Sequence, residues 1–280
     1  MPHLHIFTLT WDACEKLKKL KDSLLPALQD IGCKWTWHIK DNASKDNTYE
    51  VASSWENENI KITKYKDNRQ NFSEGMNYLF NSAKPNDEDY ILLLNNDVTF
   101  NDNNSIKKMM ELFEDKNVGV VGARLLYTGT NRLQHAGVVF EPIHRGPTHY
   151  RCNEESDSNA EKNRYFQAVT GAVLLTKAEY YRQVCTDNKS GINGMNEKLI
   201  WAFDDIDLTL CINYKLNKKI VYCGKTNISH EESASLKKNP ANKLFMNHNW
   251  NVLRERWGSK IIIDKALYEK NPKLNLMDKK

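Results

Sequence analysis

The stretch Tyr90-Ile-Leu-Leu-Leu-Asn-Asn-Asp97 is a short apolar run that ends abruptly in two amides and a carboxylate. An aliphatic run of this length between polar clusters specifies a strand buried on both faces. Such a strand delivers Asp97 to the end of a sheet, at the edge where α/β folds bind their ligands. A hard carboxylate oxygen at that edge suits a divalent cation and a phosphorylated partner. A plain turn is the competing reading, because Asn and Asp are common in turns. The surrounding sequence decides between the two.

Upstream, residues 3–9 read as a strand. Asp12, with Glu15 three residues on, then has the pattern of a capping box opening a helix to about Leu28. A second strand over 34–40 closes on Asp41-Asn42-Ala43-Ser44, and Asn47 with Glu50 repeats the capping-box pattern for a helix through Trp55. A strand over 60–65 and a helix over 73–83 lead into the Tyr90 run; a helix near 105–114 and a strand over 118–126 follow it. This alternation predicts an α/β fold with a mostly parallel, Rossmann-like central sheet and helices on both faces. The turns at Thr10-Trp11-Asp12, Asp41-Asn42 and Asn95-Asn96-Asp97 then share one edge of that sheet.

The second half is less regular. Residues 137–140 read as a short strand, 141–163 as a long polar loop, and 166–176 as an apolar segment interrupted by Gly171. A helix is expected over 204–214, a short strand over 219–222 and an amphipathic helix over 240–257, whose Leu244, Phe245, Trp250, Leu253 and Trp257 face the core. With no repeat and no linker, residues 1–270 read as a single domain. Its halves, 1–126 and 127–270, would divide donor and acceptor binding, and 271–280 would form a frayed tail.

Composition sets limits. A 280-residue chain that is 40% hydrophobic and 27% charged can build a substantial core, and its mean hydropathy of -0.68 is that of a soluble protein. No apolar run approaches the roughly 20 residues of a membrane-spanning helix. Met1-Pro-His-Leu-His-Ile lacks a signal-peptide layout, so a cytoplasmic setting is expected, with contact to a membrane face left open. The six cysteines form no CxxC pair and fit buried thiols better than a disulfide framework or a zinc site. Forty basic residues against 36 acidic ones give a net charge of +4, too little to argue for a nucleic-acid partner. Neither GxxxxGK[ST] nor GxGxxG is present, which disfavours a P-loop NTPase and a dinucleotide dehydrogenase.

A second acidic cluster, Asp204-Asp205-Ile206-Asp207, follows the apolar Leu199-Ile200-Trp201-Ala202-Phe203. Acidic residues are at home in the first turn of a helix. A carboxylate leaving apolar surroundings is also partly desolvated, which raises its pKa toward the range of a general base. Helical spacing puts Asp204 and Asp207 on one face and Asp205 about 100° away, so their roles separate. His230, in Ser229-His230-Glu231-Glu232, is expected after a short polar loop, and an imidazole commonly completes a metal site that lacks ligands.

Together these segments resemble glycosyltransferase family 2, the inverting nucleotide-sugar enzymes of GT-A fold, over about residues 3–257. Leu93-Leu94-Asn95-Asn96-Asp97-Val98 looks like the family's metal-binding DxD element. Gln134-His135-Ala136-Gly137-Val138-Val139 and Val169-Thr170-Gly171-Ala172 resemble segments of its rhamnosyltransferase-like branch. Phe203-Asp204-Asp205-Ile206-Asp207-Leu208 resembles its acidic acceptor-side motif, and Ser229-His230 its late histidine.

The resemblance implies that Thr10 and Trp11 lie beside the nucleobase and that Asp41 accepts a pyrimidine imide N–H. It places Asn77, Asn95 and Asn96 near the nucleotide sugar. Asp97 and His230 would hold Mn²⁺ or Mg²⁺, and Asp205 would be the base, with Asp204 its rival. The implied donor is a dTDP- or UDP-sugar, dTDP-rhamnose foremost. The implied acceptor is a glycan on a lipid, a polysaccharide or a protein.

The chain departs from the family pattern at Asn95, which replaces an acidic residue, and at Asp12, which replaces Asn. Asn68-Arg69-Gln70-Asn71-Phe72 stands where the family is Gly-rich, and Asp204 where Glu is commoner. Two alternatives are a sugar nucleotidyltransferase and a binding module without turnover. The first would carry a Gly-rich loop with a basic residue after the first strand, and residues 8–13 have neither.

Overall fold

The computed structural model of the chain describes residues 2–65, 70–142, 146–200, 202–231 and 241–271. Asn68, Arg69, Trp201, Glu232, Pro240, the Leu244 side chain and the expected tail beyond Asn271 lie outside the described residues. The first half alternates as expected: β1 (His3–Thr10), α1 (Cys14–Ala27), β2 (Lys34–Asp41), α2 (Thr48–Ser53), β3 (Ile60–Lys64), α3 (Phe72–Ala83) and β4 (Tyr90–Leu94). β1 pairs in parallel with β2 and β4, and β2 with β3. The apolar run of β4 is buried because both faces are covered. Leu93 joins Phe7, Met76 and Leu79 under α3, while Leu92 and Leu94 join Leu17, Leu20 and Leu24 under α1.

The chain continues through β5 (Val98–Phe100), α4 (Ser105–Glu111), β6 (Val118–Tyr127), β7 (Leu133–His135), β8 (Val138–Phe140), β9 (Pro147–His149), β10 (Arg164–Phe166) and β11 (Val173–Lys177). It ends with α5 (Ala178–Tyr181), α6 (Asp204–Tyr214), β12 (Lys219–His230), α7 (Ala241–Trp257) and α8 (Lys265–Lys270). Among the described residues one sheet runs β10-β12-β6-β11-β4-β1-β2-β3, with β5 on β12 and β7 on β6. β6 and β12 are parallel, whereas β11 is antiparallel to both β4 and β6. The sheet is therefore mixed beyond β4, and a strand from the second half lies between two strands of the first.

Local chemistry differs from the sequence reading at three places. Asp12 does not cap α1. Its backbone is left-handed (φ 44°) and its carboxylate accepts the Lys45 N–H at 2.6 Å, clipping the β1–α1 turn to the β2–α2 turn. Asn47 makes no side-chain cap either, and the real capping box is Asn71 with Glu74 at the start of α3. Finally, β12 does not stop at Tyr222. It runs through an irregularity after Cys223 and pairs again from Ile228, so His230 ends a strand instead of hanging in a loop. α7 packs on the core through Leu253 and Trp257, as its apolar face requires.

Candidate active site

The parallel register brings the ends of β1 and β2 level, with Thr10 beside Asp41. Asn96, just past β4, donates its amide to Thr10 Oγ1 at 3.0 Å and ties the third strand end to the first. Trp11 stands at the rim, 37% exposed. The Asp41 carboxylate is buried. One oxygen accepts the Ser44 N–H at 3.1 Å, and the other has no hydrogen-bond partner among the described residues. Leaving a buried acceptor unsatisfied costs about 1–3 kcal/mol, so this oxygen is a ready receiver for an N–H brought by a ligand.

Asn77 does not belong to this group. It is fully buried in α3, donates to the Met195 carbonyl and Glu197 Oε1, and accepts from Tyr181 Oη and the Met195 N–H. These bonds occupy both ends of its amide, which braces the 185–199 loop and has nothing left for a nucleotide sugar.

The antiparallel pairing of β12 with β5 sets His230 opposite Val98 and so beside Asp97. His230 Nε2 lies 3.0 Å from Asp97 Oδ1 and 3.3 Å from Asn95 Nδ2. Its Nδ1 lies 2.6 Å from Gln134 Oε1, and Gln134 Nε2 donates to the His230 carbonyl at 3.4 Å. The second bond fixes the Gln134 amide with oxygen toward the ring, so Nδ1 donates to it, and Nε2 and the Asp97 carboxylate converge on a point where a proton or a cation must sit between them. A carboxylate oxygen and an imidazole nitrogen, side by side, are a donor set for a small divalent cation. The set fits Mn²⁺ or Mg²⁺ as a partial shell. Among the described residues no cluster of three or more His, Cys, Asp or Glu could hold a metal alone, so an ion held here would take its remaining ligands from substrate or water.

On the far wall, Ala202 and Phe203 both adopt left-handed backbone (φ 65° and 66°), a strain of about 1–3 kcal/mol each. Asn249 of α7 donates to the Ala202 carbonyl at 2.9 Å, and Trp250 meets the Phe203 ring edge-on, which holds the kink in place. The kink starts α6 with its carboxylates at the cleft. Asp205 Oδ2 accepts the Gly171 N–H at 2.7 Å and Thr170 Oγ1 at 3.3 Å, while Oδ1 accepts the Ile206 N–H at 2.7 Å. The Thr170 N–H in turn lies 3.4 Å from His135 Nε2, whose other nitrogen meets His149 at 2.7 Å. Asp204 is buried, with Ser73 Oγ at 3.5 Å. Burial, reinforced by the Asp205 charge, pushes its carboxyl up to about 7. Asp207 is spent on structure: Arg256 and the Trp257 indole N–H hold its oxygens at 2.8 and 2.6 Å.

A cleft of about 490 Å³ joins these walls, with Asn95 and His230 on one side and Thr170, Gly171, Asp204 and Asp205 on the other. Asp97 lies behind His230, and Thr10, Asp41 and Asn96 mark the neighbouring strand ends. Residues 7–175 match the family described as Glycosyl transferase family 2. The chain belongs to glycosyltransferase family 2.

Among curated relatives of this family member, the O-antigen biosynthesis protein RfbC of Myxococcus xanthus is 26% identical over 241 residues, covering 84% of this chain and 18% of that protein. The O-antigen chain rhamnosyltransferase WbaN of Salmonella anatum is 31% identical over 197 residues, covering 70% of this chain and 56% of that protein. The chain thus spans less than two thirds of either relative. Among solved structures, GalNAc-T7 with UDP, GalNAc and Mn²⁺ superposes with a TM-score of 0.65 at 11% identity, over 96% of this chain and 51% of that one. S. aureus TarS 1–349 gives 0.55 at 13% identity, over 95% and 77%. At such identities the likeness shows the fold, which is GT-A.

Three site residues escaped the sequence reading. Gln134 lies inside the quoted 134–139 stretch, but only the fold brings its amide against His230. Gln70, quoted there only within the 68–72 departure, lines the cleft with a buried Oε1 that has no hydrogen-bond partner among the described residues. Lys16, on the first turn of α1, stands beside the site, 3.8 Å from Asp97 Oδ2, and carries no local signal at all.

Proposed function

We propose that this family member transfers a glycosyl group from a nucleoside diphosphate sugar to a glycan hydroxyl, with inversion, in one displacement. The observation that carries this reading is the single cleft with His230, backed by Asp97, on one wall and Asp205 on the other. In this reading Asp41 accepts the pyrimidine imide N–H through its unpartnered oxygen, Trp11 stacks on the base, and Thr10, Asn95 and Asn96 line the donor path. Asp97 and His230 would hold a Mn²⁺ or Mg²⁺ ion, which when bound would supply Lewis-acid neutralisation of the leaving diphosphate. Asp205 takes the acceptor hydroxyl proton as that oxygen bonds to the anomeric carbon and the bond to the diphosphate breaks. One base suffices, because a single displacement forms no glycosyl-enzyme intermediate, and the transition state has oxocarbenium character.

The name of one relative, an O-antigen chain rhamnosyltransferase, supports rhamnose as the sugar; we take the donor to be dTDP- or UDP-linked, dTDP-rhamnose first, and the acceptor to be a glycan on a lipid, a polysaccharide or a protein. Among the described residues no helix is long and apolar enough to cross a membrane; we place the activity in the cytoplasm, at a membrane face when the acceptor is lipid-linked. The test is a donor screen that follows nucleotide release with and without Mn²⁺, alongside thermal shifts with UDP and dTDP. Release with at least one donor, stimulated by Mn²⁺, is expected. A shift without release would favour the non-catalytic module, and neither signal with any nucleotide would refute the donor site.

A further inference from the structure

One cation beside Asp97 has no part in the reaction as written. Lys16 Nζ stands 3.8 Å from Asp97 Oδ2 and 3.7 Å from Glu231 Oε1. Both separations exceed the ~2.7–2.9 Å of a charge-assisted hydrogen bond. The ammonium is therefore placed between two carboxylates by charge, without being bonded to either. The Asp97 side chain is 2% exposed and that of Lys16 is 31% exposed. A buried carboxylate needs a nearby cation, and Lys16 provides one while keeping its tip open to the solvent side. Its flexible stem lets the tip move without disturbing α1.

The charge balance of the site points the same way. A divalent cation shared with Asp97 would spend part of its charge on that carboxylate, and the Asn95 amide adds no charge of its own. A diphosphate arriving there meets incomplete compensation unless a second cation is close. We propose that Lys16 is a diphosphate-binding residue: it screens Asp97 in the free protein and donates to a phosphate oxygen once the nucleotide and metal occupy the site. The inference rests on the donor site proposed above and adds a residue to it.

Isothermal titration of the full chain tests this, with UDP, dTDP, UMP and dTMP as probes in Mn²⁺, and with Mn²⁺ alone. Lys16→Gln is expected to weaken UDP and dTDP about tenfold, the loss of one hydrogen bond to a charged group, and the monophosphates less than twofold. Lys16→Arg is expected to recover most of that loss. Mn²⁺ alone is expected to bind Lys16→Gln at least as tightly as wild type, because no ammonium competes for Asp97. Diphosphate affinity unchanged in Lys16→Gln would overturn the role of Lys16 and leave the donor site standing. An equal loss for monophosphates would reduce Lys16 to a structural ion pair. A wild-type chain that binds no nucleoside diphosphate would overturn the donor reading and this inference with it.

Discussion

Gln134 grips His230 at two points, with Oε1 2.6 Å from the ring Nδ1 and Nε2 3.4 Å from the backbone carbonyl. Neither bond touches the cleft, yet together they decide which nitrogen faces Asp97. Partners of this kind, one bond behind a metal-binding histidine, are worth about 10–100-fold in metal affinity. Gln134→Leu is therefore expected to weaken Mn²⁺ binding by about that factor, while Gln134→Glu, which keeps the acceptor, stays closer to wild type. Titration with Mn²⁺ measures both. Wild-type affinity in Gln134→Leu would show that the ring needs no such support.

The two carboxylates at the start of α6 should behave differently. Asp205 lines the cleft and is held by the Gly171 and Ile206 N–H groups. Asp205→Asn is expected to lower kcat by about 10²–10⁴-fold, the usual worth of a general base, with nucleotide binding intact. Asp204, pushed up to about 7 by burial and then by Asp205, should leave transfer measurable as Asp204→Asn. Its folded pKa is raised above the unfolded value near 3.8. The stability it contributes is therefore complete below about pH 4 and is lost as pH rises through about 7. Asp204→Asn should then gain on wild type between pH 5 and pH 8 in urea-unfolding midpoints. A kcat collapse in Asp204→Asn with full activity in Asp205→Asn would exchange the roles.

Gly171 donates to Asp205 and also makes room for it. A Cβ at position 171 would lie 2.8 Å from the Asp205 Cβ, against the helix start and not against a flexible tip. Gly171→Ala should fold and bind nucleotide but displace the carboxylate. A misplacement near 1 Å costs about 10²-fold in rate, and that is the expected loss in kcat. Unchanged kcat in a variant with wild-type nucleotide affinity would mean that Asp205 is not the group that must be positioned.

Sequence alone conveyed the β3-β2-β1-β4 half because each piece is local. Aliphatic runs, polar strand ends and intervening helical spacing lie within a few residues of one another, and parallel connection leaves few arrangements. It did not convey the place of β11. Val173-Leu-Leu-Thr-Lys177 looks like any buried strand, and only packing sends it antiparallel between β4 and β6. Asp97 and His230 were legible as residue types, but their contact depends on β12 resuming after its irregularity, a pairing that no local pattern encodes. The placements of Asp205 and Asp207 follow from helical geometry plus three distant partners. Asp205 finds the Gly171 turn, and Asp207 finds Arg256 and Trp257 on α7. Asn77 misled because a buried amide that braces a loop and an amide that binds a donor have the same sequence signature.

At the opposite end of the strands, three histidines on β1 and β2 cluster, with ring centroids 4.5 Å apart for the tilted pair His3 and His5 and 5.4 Å for the stacked pair His5 and His38. His5 Nδ1 lies 3.2 Å from His38 Nε2. Burial, then the neighbouring His3, brings His5 down to about 4 despite Asp89, and burial, then His5, brings His38 down to about 3. Between these values and the unfolded value near 6.5, the unfolded chain binds protons that the folded chain refuses. Stability must then rise with pH across roughly pH 4 to 6.5 and fall on acidification, the reverse of the Asp204 contribution. His38→Gln keeps a polar partner for His5 and removes one such titration. It is expected to flatten the acid limb of urea-unfolding midpoints measured from pH 4.5 to 7, with little change at pH 7. An acid limb as steep as wild type in His38→Gln would place the acid sensitivity elsewhere in the fold.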